Sequence, residues 1–241
     1  MGNTPERARA KETLWRLMAL ALAHPAPEFH AALARGAYHA GFADAWGKLT
    51  GRAWPDPGHA PDFEAFEAGF ISAFLHGRSG KPVAALLAGD HENVLAGLTR
   101  PVFMLNLIQI YKHFGLAAAS ADEGHQDEPD HLASMTEFMA VLCHLEARAL
   151  ERGRDPSPYR RAERDFLSRF LAPSLESVAG LLRRTPVADL DPTVLQVVQD
   201  MAAWSRTQIT ELEAIVGPYR DPDAPAAQAR QAEPAAQNLW G

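Results

Sequence analysis

The densest run of chemically versatile side chains in this sequence is His125-Gln126-Asp127-Glu128-Pro129-Asp130-His131. Imidazoles among carboxylates can hold a borderline metal. His125, Asp130 and His131 therefore define one option, an α-helical metal-dependent hydrolase. Against it, the 10 histidines include no His-Glu-x-x-His and no i, i+4 pair with a supporting acid. A second option is purely local. Proline and acids suit a first helical turn, where N–H groups are unpaired and the helix dipole favours negative charge. On a third option, Glu128, Asp130 and Glu137 form an acidic rim beside an apolar surface. Asp130 is expected on the side of Ser134 and Glu137, and His131 toward Met135, Phe138 and Leu142. Such a rim suits an extended peptide that is both basic and hydrophobic, because arginine pairs with carboxylates through charge-assisted hydrogen bonds.

Other reactive types are less informative. Cys143 is the single cysteine; it sits beside Leu142 in an apolar helical pattern and reads as a small core hydrophobe. One cysteine excludes an internal disulfide and multi-cysteine metal ligation, and fits a reducing compartment. Gly80-Lys81 lacks the earlier glycine and the following Ser or Thr of a phosphate loop, and no Gly-x-Gly-x-x-Gly occurs. Phe63, Phe66, Phe70 and Phe74 form one helical stripe that reads as core, whereas Phe74 and Leu75 fit a core or a groove wall equally. With Tyr111 and the His131 face they would line such a groove.

These residues are positioned by helices. Two-residue alternation with β-branched side chains is nearly absent, so the expected class is all-α, a bundle of about nine helices over residues 1–217. Thr4-Pro5-Glu6, Asp62 and Asp191-Pro192 are helix starts. The segment from Val102 to Phe114 is apolar on all faces and is expected to be the central, buried helix. Helices are further expected from Leu132 to about Glu151, from Arg160 to Leu171, and then separately around Leu175 to Leu182. Val83 to Leu98 has no clear pattern. The Ala-, Gln- and Pro-rich segment 218–241 reads as a flexible tail.

Composition narrows the function. With 23 Lys+Arg against 30 Asp+Glu over 241 residues, the net charge is −7. That disfavours nucleic acid and anionic membrane surfaces as partners. No apolar run approaches the ~20 residues of a membrane span. Leu17 to Ala23 is interrupted upstream by Glu6 and Glu12 and reads as mature helix rather than a leader. No cofactor is implied.

Glu128-Pro129-Asp130-His131 followed by Glu137-Phe138-Met139 resembles the signature of the TorD/DmsD/NarJ-like maturation chaperones of molybdenum-containing oxidoreductases. Looser similarity covers Phe70 to Pro82, Tyr111 to Leu116, Arg164 to Leu167 and Phe170 to Pro173, so the resemblance spans roughly Leu14 to Val216. It implies an all-α, non-enzymatic, cytoplasmic protein. Such a protein binds the twin-arginine signal peptide or the catalytic subunit of a client until cofactor insertion. Asp130 and His131 would be the peptide-contacting positions, with Glu128 and Pro129 shaping the turn. On that reading, Asp130→Asn with His131→Ala weakens client binding and leaves thermal stability nearly unchanged. The chain departs from the family at Pro82-Val83-Ala84-Ala85, where many members carry an aromatic residue after the proline. His24-Pro25 after the first helix looks most like chaperones of type II dimethyl-sulfoxide-reductase-like enzymes. A monomer and a homodimer, the latter through exchange at Ala117 to Asp127, are both compatible. A plain helical scaffold is the remaining alternative.

Overall fold

A computed structural model describes residues 4–77, 80–116 and 128–220. Its elements are α1 (Pro5–Leu22), α2 (Pro27–Ala34), α3 (Ala37–Thr50), α4 (Phe63–Phe74), a 3-10 turn (Ala88–Asp90) and α5 (Glu92–Leu95). They continue with α6 (Arg100–His113), α7 (Leu132–Glu151), α8 (Ser157–Phe166), a π-helical turn (Leu167–Leu171), α9 (Ala172–Arg184) and α10 (Pro192–Val216). Apart from the single turn α5, that makes nine helices among the described residues, with no strand. The flexible tail expected over 218–241 falls, from residue 221 onward, outside the described residues, as do His125, Asp127 and the exchange loop.

The helix starts follow from side-chain chemistry. Thr4 accepts the Arg7 N–H, Asp62 accepts that of Ala65, and Asp191 accepts those of Thr193 and Val194. Each cap satisfies a donor that the helix itself cannot. The core is built on α1 and α7, which pack along each other, with α3 and α10 beside α1. Leu14, Trp15 and Met18 of α1 meet Leu132, Met135, Met139, Leu142 and Cys143 of α7, all with no exposed surface. Trp15 also meets Trp204 of α10 at 5.5 Å between ring centres. Cys143 is thus a core residue, and burial pushes its thiol well above the ordinary range.

That core contains charge. Lys11 Nζ lies 2.5 Å from Glu146 Oε2 and 2.6 Å from Glu163 Oε2, and Arg160 Nε donates to Glu146 Oε1 at 2.6 Å. Burial opposes ionisation of Glu146, but Lys11 and Arg160 outweigh it and hold this carboxyl below its usual range. Glu163 is the second acid on one ammonium. Burial, reinforced by Glu146, pushes it up to about 7 despite Lys11.

Two expectations are corrected. The apolar helix α6 is peripheral, not central: Val102 is 44% and Leu105 52% exposed. Only Phe103, Leu107 and Tyr111, one stripe at i, i+4, i+8, are buried. All-round hydrophobicity marks a helix that tolerates burial, but α1 and α7 have the packing partners. Second, α8 and α9 are not separate: the π turn joins them without a break. Pro173 has no N–H to give to Arg169 in an α-helical ladder, and the wider turn just before it takes up the misfit.

Candidate functional site

The unpatterned segment after Pro82 is held by the turn before α7. The Leu132 N–H donates to Leu86 O and the Ala88 N–H to Asp130 O, each at 2.9 Å, around an antiparallel bridge between Leu87 and His131. Two bonds of this kind give extended backbone a fixed place without a sheet, which is why no periodicity announces it. The turn itself closes through the His131 N–H on Glu128 O at 2.9 Å. His131 then caps α7, its Nδ1 accepting the Ala133 N–H at 3.2 Å.

Asp130 is turned inward. It has no exposed surface, and its Oδ2 accepts the Gly89 N–H at 2.9 Å and lies 3.8 Å from Arg100 Nη2. This corrects the expectation that Asp130 faces solvent beside Ser134 and Glu137. The cause is the 86–90 segment, which closes over the turn on that side. Gly89 is needed there: a Cβ would come within 2.7 Å of Asp130 Oδ2 and 2.9 Å of Arg100 Cγ. Tyr111 also lies behind the turn. Its hydroxyl donates to Pro129 O at 2.8 Å, and its ring packs 4.8 Å from Phe138. Burial pushes its phenol far above the ordinary value. Tyr111 and Asp130 therefore hold the turn from behind and are not among the residues lining the cleft in front of it, and Pro129, half-buried, presents its carbonyl to Tyr111.

In front of the turn lies a cleft of about 820 Å³. Phe74 and Leu75 from the end of α4, Glu128, His131 and Glu137 all line it, so the structure brings these five expected residues together. Phe74 is 2% exposed and belongs mostly to the core, whereas Leu75 is 37% exposed. Pro82, Ala85 and Leu86 continue the apolar wall, and His24 and Asp90 complete the rim. Of Pro82-Val83-Ala84-Ala85, only Pro82 and Ala85 line the cleft, and Ala84 is buried in the core. Asp90 is a rim acid that sequence reasoning missed, because nothing in the 83–98 stretch reveals its place.

Arg100, the first residue of α6, was equally hidden. Its Nη1 donates to Asp90 Oδ1 at 2.9 Å and its Nη2 to Glu128 Oε2 at 2.8 Å. Among the described residues, which do not include His125, no group of three or more His, Cys, Asp or Glu side chains converges. A second cleft, of about 790 Å³, lies between α6 and α8. His113, Phe114, Arg161, Arg169 and Phe170 line it, which makes it basic where the first is acidic.

The family described as nitrate reductase delta subunit matches residues 35–179. The dimethyl sulfide dehydrogenase assembly chaperone protein of Rhodovulum sulfidophilum is 51% identical over 98% of this chain and 94% of its own length. The selenate reductase assembly chaperone protein of Thauera selenatis is 38% identical over 61% of this chain and 71% of its own. The chlorate reductase assembly chaperone protein of Ideonella dechloratans is 33% identical over 65% and 78%. No solved structure matches the chain. The matched region holds the turn that carries the signature and all of the acidic cleft but Ala23 and His24, and the likeness extends through nearly the whole of one relative. The chain belongs to the nitrate reductase delta subunit family, the TorD/DmsD/NarJ-like group of maturation chaperones.

Proposed function

We propose that this protein is an assembly chaperone acting in the cytoplasm on a molybdenum-containing oxidoreductase of the type II dimethyl-sulfoxide-reductase-like class. It holds the catalytic subunit, through its twin-arginine leader, until the cofactor is inserted. The observation that carries this reading is the cleft at the signature turn. Phe74 and Leu75 supply an apolar wall, and Glu128, Glu137 and Asp90 supply carboxylates at its rim. A leader with paired arginines ahead of an apolar run matches both. The relatives named for dimethyl sulfide dehydrogenase, selenate reductase and chlorate reductase support the client class. A helical hydrolase is not favoured: Asp130 is engaged by Gly89, and the named relatives are chaperones.

The rim contributes selectivity and encounter rate more than raw affinity, which suits a client that must be released. The test is calorimetric titration of the full chain with the client's leader peptide. Glu128→Gln with Glu137→Gln should weaken binding by about threefold, the equivalent of losing one partly screened ion pair, with an unchanged circular dichroism spectrum. Unaltered affinity in that double variant would reject the rim as the leader site.

A further inference from the structure

Two of the rim acids of the cleft are already engaged by one side chain. Asp90 Oδ1 and Glu128 Oε2 each accept one hydrogen bond from the same guanidinium, at 2.9 and 2.8 Å. Arg100 reaches them from α6 and is not itself part of the cleft wall. Its side chain is 39% exposed, comparable with Asp90 at 39% and Glu128 at 47%, so this pairing sits in reach of solvent. The third carboxylate is different. Asp130 Oδ2 lies 3.8 Å from Arg100 Nη2 and is wholly buried, and Asp130 Oδ1 has no hydrogen-bond partner. Asp130 is thus an anionic anchor behind the guanidinium, while Asp90 and Glu128 are the exposed groups that it bridges.

We propose that Arg100 is an internal competitor for the rim of the cleft. Its guanidinium occupies Asp90 and Glu128 in the empty chaperone, and an arginine of the client's leader takes its place on binding. This inference rests on the leader site proposed above and adds the residue that sets its affinity. The chemistry is an exchange of like for like. The incoming guanidinium makes the charge-assisted bonds that the outgoing one gives up. The net gain from the rim is therefore small, and the apolar wall supplies most of the binding. When displaced, Arg100 retains the Asp130 carboxylate, so it stays close to the rim and closes it again when the client departs. Gly89 makes this possible, because any side chain there would separate Asp130 from Arg100.

An internal competitor has an unusual signature: its removal strengthens binding. The probe is a synthetic peptide bearing an Arg-Arg pair followed by an apolar run, with a second peptide carrying Gln-Gln in place of the pair. Both are titrated calorimetrically into the full chain. Arg100→Gln should tighten binding of the Arg-Arg peptide by about three- to tenfold, the range of a solvent-accessible bridged ion pair, and leave the Gln-Gln peptide unchanged. Arg100→Lys keeps a cation near Asp130 but cannot span both acids; it should give a smaller gain, and it serves if the glutamine variant melts early. Equal or weaker binding of the Arg-Arg peptide by both variants, while the wild type still prefers it over Gln-Gln, overturns the competitor role alone. A wild type that fails to distinguish the two peptides overturns the leader site and this inference with it.

Discussion

A carboxylate without exposed surface must find its partners inside the protein. Asp130 has the Gly89 N–H and the nearby Arg100 guanidinium. Asn in its place keeps the volume, and its carbonyl can still accept the Gly89 N–H, but it sets a buried NH2 at the Oδ1 position, which has no partner, and removes the charge facing Arg100. Asp130→Asn should therefore cost about 1–3 kcal/mol, the price of a badly paired buried polar group, read as a lowered midpoint in urea denaturation. Glu128→Gln, on the exposed side of the same turn, should stay within about 0.5 kcal/mol of the wild type. This reverses the expectation that altering Asp130 spares stability. The signature residues were legible through their resemblance to a family, since proline and acids before an apolar helix are by themselves ordinary first-turn residues. Their division of labour was not. Which of two carboxylates two positions apart faces solvent is decided by residues 86–90, far away in the chain. Glu128 and Glu137 both line the cleft, the first from the turn and the second from α7.

At the scale of elements, α6 shows how hydrophobicity and burial part company. Its apolar side chains outnumber the neighbours available to cover them. Leu105→Lys should change stability by less than about 0.5 kcal/mol, whereas Leu107→Ala, at a site with no exposed surface, should cost about 2–5 kcal/mol. Thermal melts of the two variants check this, and equal losses would restore α6 to the core. The helix starts at Thr4, Asp62 and Asp191 were readable because a cap is a local bargain between one side chain and the next turn. The seam between α8 and α9 was not, because a break and a π turn both accommodate Pro173 and differ only in what the flanking helices pack against. The bridge at Leu87 was invisible for the opposite reason: it is wholly non-local.

At the scale of the molecule, the buried charges between α1, α7 and α8 couple stability to pH. Glu163 is held at about 7 in the folded chain, above its ordinary 4.5. Between those values the folded state keeps a proton that the unfolded state has lost. The contribution is complete below about 4.5 and is lost as pH rises through about 7. Glu163→Gln fixes the uncharged form, so over this window the wild type should lose about 3 kcal/mol relative to the variant. Urea titrations at closely spaced pH values measure the difference, and parallel curves would show that Glu163 ionises normally.

The position of α6 has one more consequence. It starts at Arg100, tied to the rim of one cleft, and ends at His113 and Phe114, which line the other. A rod of 14 residues is about 20 Å long, and this one is gripped along a single stripe with its flank bare to water. Two recesses of opposite charge thus share one helix, and any rigid-body shift of that rod would alter both.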